Sequence, residues 1–271
     1  MLLEASKRDP FKINGVVVGV VVDNRDPKGH YRVKVKFPWV SESGNYASSV
    51  KDEEDFRSTW CRLTSFMAGS NAGEEFRGAF FLPEVDDEVL LAFEHGDLRR
   101  PYVIGSLWNG VDKPIHDNES QDGENNYRSI RSREGHMFQF VDNADGAQRI
   151  VLQNLVPADQ TVDAPNERDG HWICLDQSGE VDQIEIYDHT QEHYMLIDTK
   201  NKKITIETTS GDMDILAKGT ITMKCEDLVI EAKNNITASA GSNVEVNADS
   251  NIDMTASGNM TLKGSQIDLN P

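Results

Sequence analysis

From Asp227 to Gln266 the chain divides without gaps into five blocks of eight residues: DLVIEAKN, NITASAGS, NVEVNADS, NIDMTASG and NMTLKGSQ. The second position of each block is apolar (Leu228, Ile236, Val244, Ile252, Met260), and so is the fourth (Ile230, Ala238, Val246, Met254, Leu262). The sixth is always tiny: Ala232, Ala240, Ala248, Ala256 and Gly264. Side chains alternate along a strand, so positions two, four and six share one face, while the Gly, Ser, Asn and Asp of positions seven, eight and one supply a corner. Each octad therefore reads as one short strand and one turn.

A single chain of such strands buries only two medium side chains and a methyl per block and leaves both ladder edges unpaired. Three chains wound about one axis remove that difficulty. Each strand gains neighbours from the other two copies, and the apolar columns fill a shared interior. The repeat thus predicts an obligate homotrimer, a triple-stranded β-helix. Its core is Leu228, Ile230, Ile236, Val244, Val246, Ile252, Met254, Met260 and Leu262, and its crowded column is Ala232, Ala240, Ala248, Ala256 and Gly264. Two further blocks, from Gly211 and Gly219, fit with a one-residue offset, which predicts an irregularity near Cys225 to Asp227. With strands about 4.8 Å apart, the needle would extend roughly 34 Å. A monomeric solenoid is the alternative, but its usual periods are six and nine, and the GGxGxD signature of calcium-binding repeats is missing.

Upstream, residues 11–110 alternate short Val-rich or aromatic runs with Gly, Pro and Asn, the pattern of a small barrel of about five or six strands. Expected strands are Gly15–Val22, Tyr31–Phe37, Trp60–Leu63, Ala79–Leu82, Glu88–Phe93 and Tyr102–Trp108, with Ser41–Arg57 as a long surface loop. A short extension (1–10) precedes the barrel and a linker (111–128) follows it. Between 129 and 208 a strand, Asp-containing turn and strand recur three times, beginning at Gly135, Gly170 and Glu192. This stretch reads as a connector and the start of the needle, and 209–271 as the octad β-helix with its apex. No helix-period segment of useful length interrupts the all-β pattern.

His136, His171 and His193 occupy equivalent places in these copies. Equivalent positions in a stack are separated along its axis, and no second ligand sits at metal-site spacing beside any of them, so no metal or other cofactor is expected. The three cysteines, Cys61, Cys174 and Cys225, are too far apart for a CxxC pair and read as reduced and buried or half-buried. The net charge of −19, from 46 acidic and 27 basic residues, repels phosphate backbones and anionic lipid, which argues against nucleic acid as a partner. Met1–Pro10 is charged and the early apolar run Gly15–Val22 stops at Asp23, so neither a signal peptide nor a membrane span is expected.

The stretch Pro83–Asp97 (PEVDDEVLLAFEHGD) and the stretch Arg100–Gly110 (RPYVIGSLWNG) resemble the OB-domain signature of VgrG proteins and phage tail central spikes. The resemblance implies an OB domain, forming a collar on a hub or baseplate protein, followed by a trimeric β-helix. Sheath contraction would drive the spike through a target envelope. It implies assembly in the bacterial cytoplasm into the baseplate of a phage tail, type VI secretion system or extracellular injection particle, with ejection on contraction. It also implies a PAAR-type tip protein on the flat apolar end formed by Ile267, Leu269 and Pro271, and effector cargo as a further passenger. VgrG chains carry large hub domains before the OB domain, whereas about ten residues precede Phe11 here, so either a separate hub protein exists or this is the spike portion alone. T-even spikes insert a lysozyme domain before the needle; the interval Val111 to Ser129 is too short for one. The histidines of iron-binding phage tips have no counterpart in Ile267–Pro271.

Two rivals come from other classes. A nucleic-acid-binding OB protein with a monomeric solenoid tail would use Tyr31, Lys34, Lys36 and Trp39, but Asp52–Asp55 lies nearby in sequence. An enzyme would use His95 or His116 beside carboxylates, but Glu94–Asp97 makes an equally good strand-ending turn and no nucleophile motif accompanies it, so no catalysis is expected.

Overall fold

The structure, a computed structural model of one chain, describes residues 12–39, 57–73, 75–119, 122–144, 146–155 and 170–269. The extension 1–10, nearly all of the Ser41–Arg57 loop, and Pro271 lie outside the described residues. The chain divides into two units, Met1–Met213 and Asp214–Pro271.

The first unit begins with a closed barrel. Its strands are β1 (Val16–Asp23), β2 (Arg32–Lys36), β3 (Cys61–Leu63), β6 (Glu88–Phe93) and β7 (Pro101–Ser106), ordered β1-β2-β3-β7-β6. All neighbours are antiparallel except β3 and β7, the five-stranded arrangement of an OB fold. Period-two patterning explains the core: Val21, Val33, Val35, Cys61, Val89, Leu91 and Val103 point inward and are essentially solvent-free. Gly19 leaves room for the core where β1 crosses it, since a Cβ there would lie 2.8 Å from Leu91 Cδ1 and 3.3 Å from Val35 Cβ. The turn after β6 is a single 3₁₀ turn, Glu94–Gly96, with His95 at φ 53° and exposed.

One expected strand is corrected. Ala79–Leu82 carries no ladder; instead β4 (Ala68–Asn71) and β5 (Glu75–Gly78) form a separate, wholly exposed hairpin just before it. Leu82 does pack on the barrel core, so its apolar run is satisfied by side-chain burial without strand pairing.

Behind the barrel lies a seven-stranded antiparallel meander: β8 (Tyr127–Arg131), β9 (Met137–Asp142), β10 (Gln148–Gln153), β11 (Trp172–Asp176), β12 (Gln183–Tyr187), β13 (His193–Asp198) and β14 (Lys203–Thr208). The three recurring copies are the hairpins β9–β10, β11–β12 and β13–β14. His116 anchors the incoming chain: its ring stacks on Tyr127 at 4.5 Å, and its Nε2 lies 2.9 Å from Ser129 Oγ and 3.0 Å from Gln139 Oε1.

In the second unit no strand ladder is present among the described residues. The backbone bends at 233–234, 241–242, 249–250, 257–258 and 265, which are the seventh and eighth positions of the octads, or the seventh alone in the last block. A lone bend at Glu226 marks the irregularity expected between Cys225 and Asp227. Among the described residues, no helix is long and apolar enough to cross a membrane.

Candidate functional site

The meander has two unlike faces. One is buried: Met137, Gln139, Val141, Val151, Gln153, Trp172, Cys174, Asp176 and Glu185. Its two carboxylates are tied down, as burial requires, whereas Gln139 Nε2 is buried without a hydrogen-bond partner. Arg149 Nε donates to Asp176 at 2.8 Å, Trp172 Nε1 donates to Glu185 at 3.1 Å, and Gln183 reaches the same carboxylate. The rings of Tyr187 and Tyr194 stack 4.8 Å apart beside this network.

The other face is apolar, and its residues stand in register. One column runs Ile130, Phe138, Leu152, Ile173, Ile186, Met195 and Ile206, each opposite the next on the neighbouring strand. A second runs Phe140, Ile150, Leu175, Ile184, Ile197 and Ile204. Met195 and Ile197 are half-buried, and the other eleven are exposed. Together they form a continuous apolar wall, larger than the scattered apolar residues of an ordinary surface. The first column floors an open groove of about 1040 Å³, with His136, His171 and His193 along it. His193 is engaged by Thr208 Oγ1 at 2.6 Å, and His171 meets His189 edge-on at 5.2 Å.

The octad residues repeat that arrangement in another form. Leu228, Ile230, Ile236, Val244, Val246, Ile252, Met254, Met260 and Leu262 are 51–67% exposed, and every described residue from 209 to 269 is exposed. The single chain buries none of these side chains. Ala232, Ala240, Ala248, Ala256 and Gly264 are equally open, as are Ile267 and Leu269. Cys61 and Cys174 are buried as expected, but Cys225 is exposed, a correction that follows from its place in the octad unit. Burial pushes the Cys61 thiol up to about 11, against the lowering effect of its hydrogen bond with Ser58.

The apolar columns of the meander are the functional residues missed by reading the sequence alone. Their signal was present: each strand of the hairpins carries two apolar side chains two residues apart, as each octad does at positions two and four. What was not legible was that this face, and not the one bearing Trp172 and Cys174, stays open.

The site is thus an OB barrel leading into a β-meander with an exposed apolar face. Residues 17–108 match the family described as the type VI secretion system/phage-baseplate injector OB domain. The chain is 24% identical over 181 residues to the type VI secretion system spike proteins VgrG1c and VgrG1b of Pseudomonas aeruginosa, a match covering 63% of this chain and 22% of each relative. It is 26% identical over 107 residues to the spike protein VgrG2a of the same organism, covering 38% and 11%. The chain is thus similar to these spike proteins over part of its length and spans about a fifth of the length of the first two relatives.

Proposed function

We propose that the protein is a structural, non-enzymatic spike: a homotrimer whose octad repeats form an intertwined β-helix at the tip of a contractile injection machine. The observation that carries this reading is the pair of in-register apolar columns on the meander, followed by octads whose apolar positions are all exposed in one chain. Thirteen meander side chains and nine octad side chains would waste the hydrophobic effect unless covered, since each Leu or Ile left in water forgoes about 1.5–3 kcal/mol. Copies of the same chain cover them with the same periodicity.

In this reading the barrel sits on a hub or baseplate protein. The spike is assembled in the bacterial cytoplasm and expelled on contraction to pierce the target envelope. The open end at Ile267 and Leu269, continuing to Pro271, holds a PAAR-type tip protein, which can bring effector cargo. In this reading the histidines are structural: His116 contacts Tyr127, Ser129 and Gln139, and His95 lies exposed in a turn.

Light scattering of the intact chain beside one ending at Thr208 tests the proposal. A mass three times 30.3 kDa that is lost or weakened on truncation is expected. A stable full-length monomer would overturn it and restore the solenoid reading.

A further inference from the structure

The barrel carries a second surface, unlike the rest of this acidic chain. β2, β3 and β7 are neighbours, and because side chains alternate, the residues next to the inward-facing Val33, Cys61 and Val103 project outward. Register sets Arg32 opposite Arg62, and Arg62 opposite Tyr102. Trp60 flanks the row. Lys34 Nζ lies 4.9 Å from its ring centroid and Arg32 Cζ 5.8 Å, while Arg62 Cζ lies 5.7 Å from that of Tyr102. Arg32, Trp60, Arg62 and Tyr102 line a cavity of about 500 Å³ to which Arg99, Arg100 and Glu94 contribute.

Charge is unevenly matched here. Asp26 receives two hydrogen bonds from Arg32, at 2.6 and 2.7 Å, Asp97 holds Arg99, and Glu94 lies 3.3 Å from Arg100. Lys34 stands opposite Asp23 on β1, which attracts it, whereas Arg62 has no carboxylate partner among the described residues. Like charges directly opposite on adjacent strands repel; Asp26 neutralises much of Arg32 and the Tyr102 ring favours Arg62, but no carboxylate answers Arg62 itself, which leaves a residual repulsion. An anion entering the groove would remove it.

The groove suits carboxylates better than bases. Each aromatic ring already has a cation of this chain over a face, which leaves less room for a base to stack, whereas an arginine fork matches a carboxylate in two hydrogen bonds. The strand 2–3 face is also where OB barrels take their ligands. We propose that the β2–β3–β7 face of the barrel docks an acidic peptide segment of a partner protein, with Arg62 as its ion-pairing residue. This site refines the baseplate contact proposed above but does not depend on the oligomeric state.

Fluorescence anisotropy of a fluorescein-labelled oligoglutamate peptide, titrated with the full chain at low salt, tests it. Saturable binding that weakens with added salt is expected, with Arg62→Glu raising Kd by about tenfold or more, Arg62→Gln less, and the exposed Lys203→Glu leaving it unchanged. Circular dichroism melts and light scattering of the same samples should be unaltered by Arg62→Glu, since its side chain is exposed; a loss of binding then reports the groove and not the fold or assembly. The proposal fails if binding is not saturable, if Arg62→Glu binds as well as the wild type, or if an oligothymidylate of the same length binds more tightly, which would assign the groove to nucleic acid.

Discussion

Leu91 shows how little freedom the barrel core has. Its side chain is solvent-free and presses on Gly19, so Leu91→Ala should cost about 2–5 kcal/mol through the cavity it leaves, and Gly19→Ala about 1–3 kcal/mol through overpacking, both read from urea midpoints. At the turn between β12 and β13, Asp188 accepts hydrogen bonds from the Thr190 hydroxyl and from backbone N–H groups, which hold its carboxyl at about 2. The unfolded chain binds that proton near pH 4, so it carries more protons than the folded chain between about pH 4 and 2, and the stabilisation is lost as pH falls through that window. Asp188→Asn should make the melting temperature less steep with pH over that interval. Cys225 makes a test of assembly. It follows Ile221 and Met223 at alternate positions, so it belongs to the apolar face of its repeat and should be shielded in the proposed trimer. Intact-mass measurement after alkylation should show slow labelling of Cys225 in the native assembly and fast labelling once it is dissociated; equally fast labelling in both would count against a buried needle.

Adjacent residues of β11 point to opposite faces and should therefore behave oppositely. Trp172 is buried and bonded to Glu185, so Trp172→Ala should destabilise the chain by about 3–5 kcal/mol. Ile173 stands 40% exposed in the apolar column, so in a lone chain Ile173→Asp should alter stability by no more than about 0.5 kcal/mol. In a trimer the same change places a charge in a shared interior and should reduce the mass seen by sedimentation to that of one chain. At this scale the hairpins and most barrel strands were legible, because period-two patterns and Asp-rich turns are local signals. The β4–β5 hairpin was not: all eight of its residues are exposed, so no buried face imposes alternation on them. Ala79–Leu82 misled for the converse reason, since Leu82 is apolar to fill the core and not to pair in a ladder.

For the whole molecule, assembly couples folding to concentration. If the columns meet those of other copies, the melting temperature should rise with protein concentration, as mass action requires when the folded form is the associated one. A concentration-independent transition would point to a self-sufficient monomer. The octad period, its two apolar positions, its tiny sixth position and its corners follow from the sequence alone, because a strict repeat makes every unit face the same local problem, and the bends at 233–234 through 265 obey it. A small barrel was also legible from its short strands and turns, and its OB identity from the resemblance carried by Pro83–Asp97 and Arg100–Gly110. Tertiary structure alone decided which face of the meander stays open and which residues share a row on the barrel. Both depend on register between strands: pairing Ile173 with Leu152 and Ile186, or Arg32 with Arg62, is a long-range choice made by whole-sheet packing, and a shift of one residue would have turned every side chain to the other face.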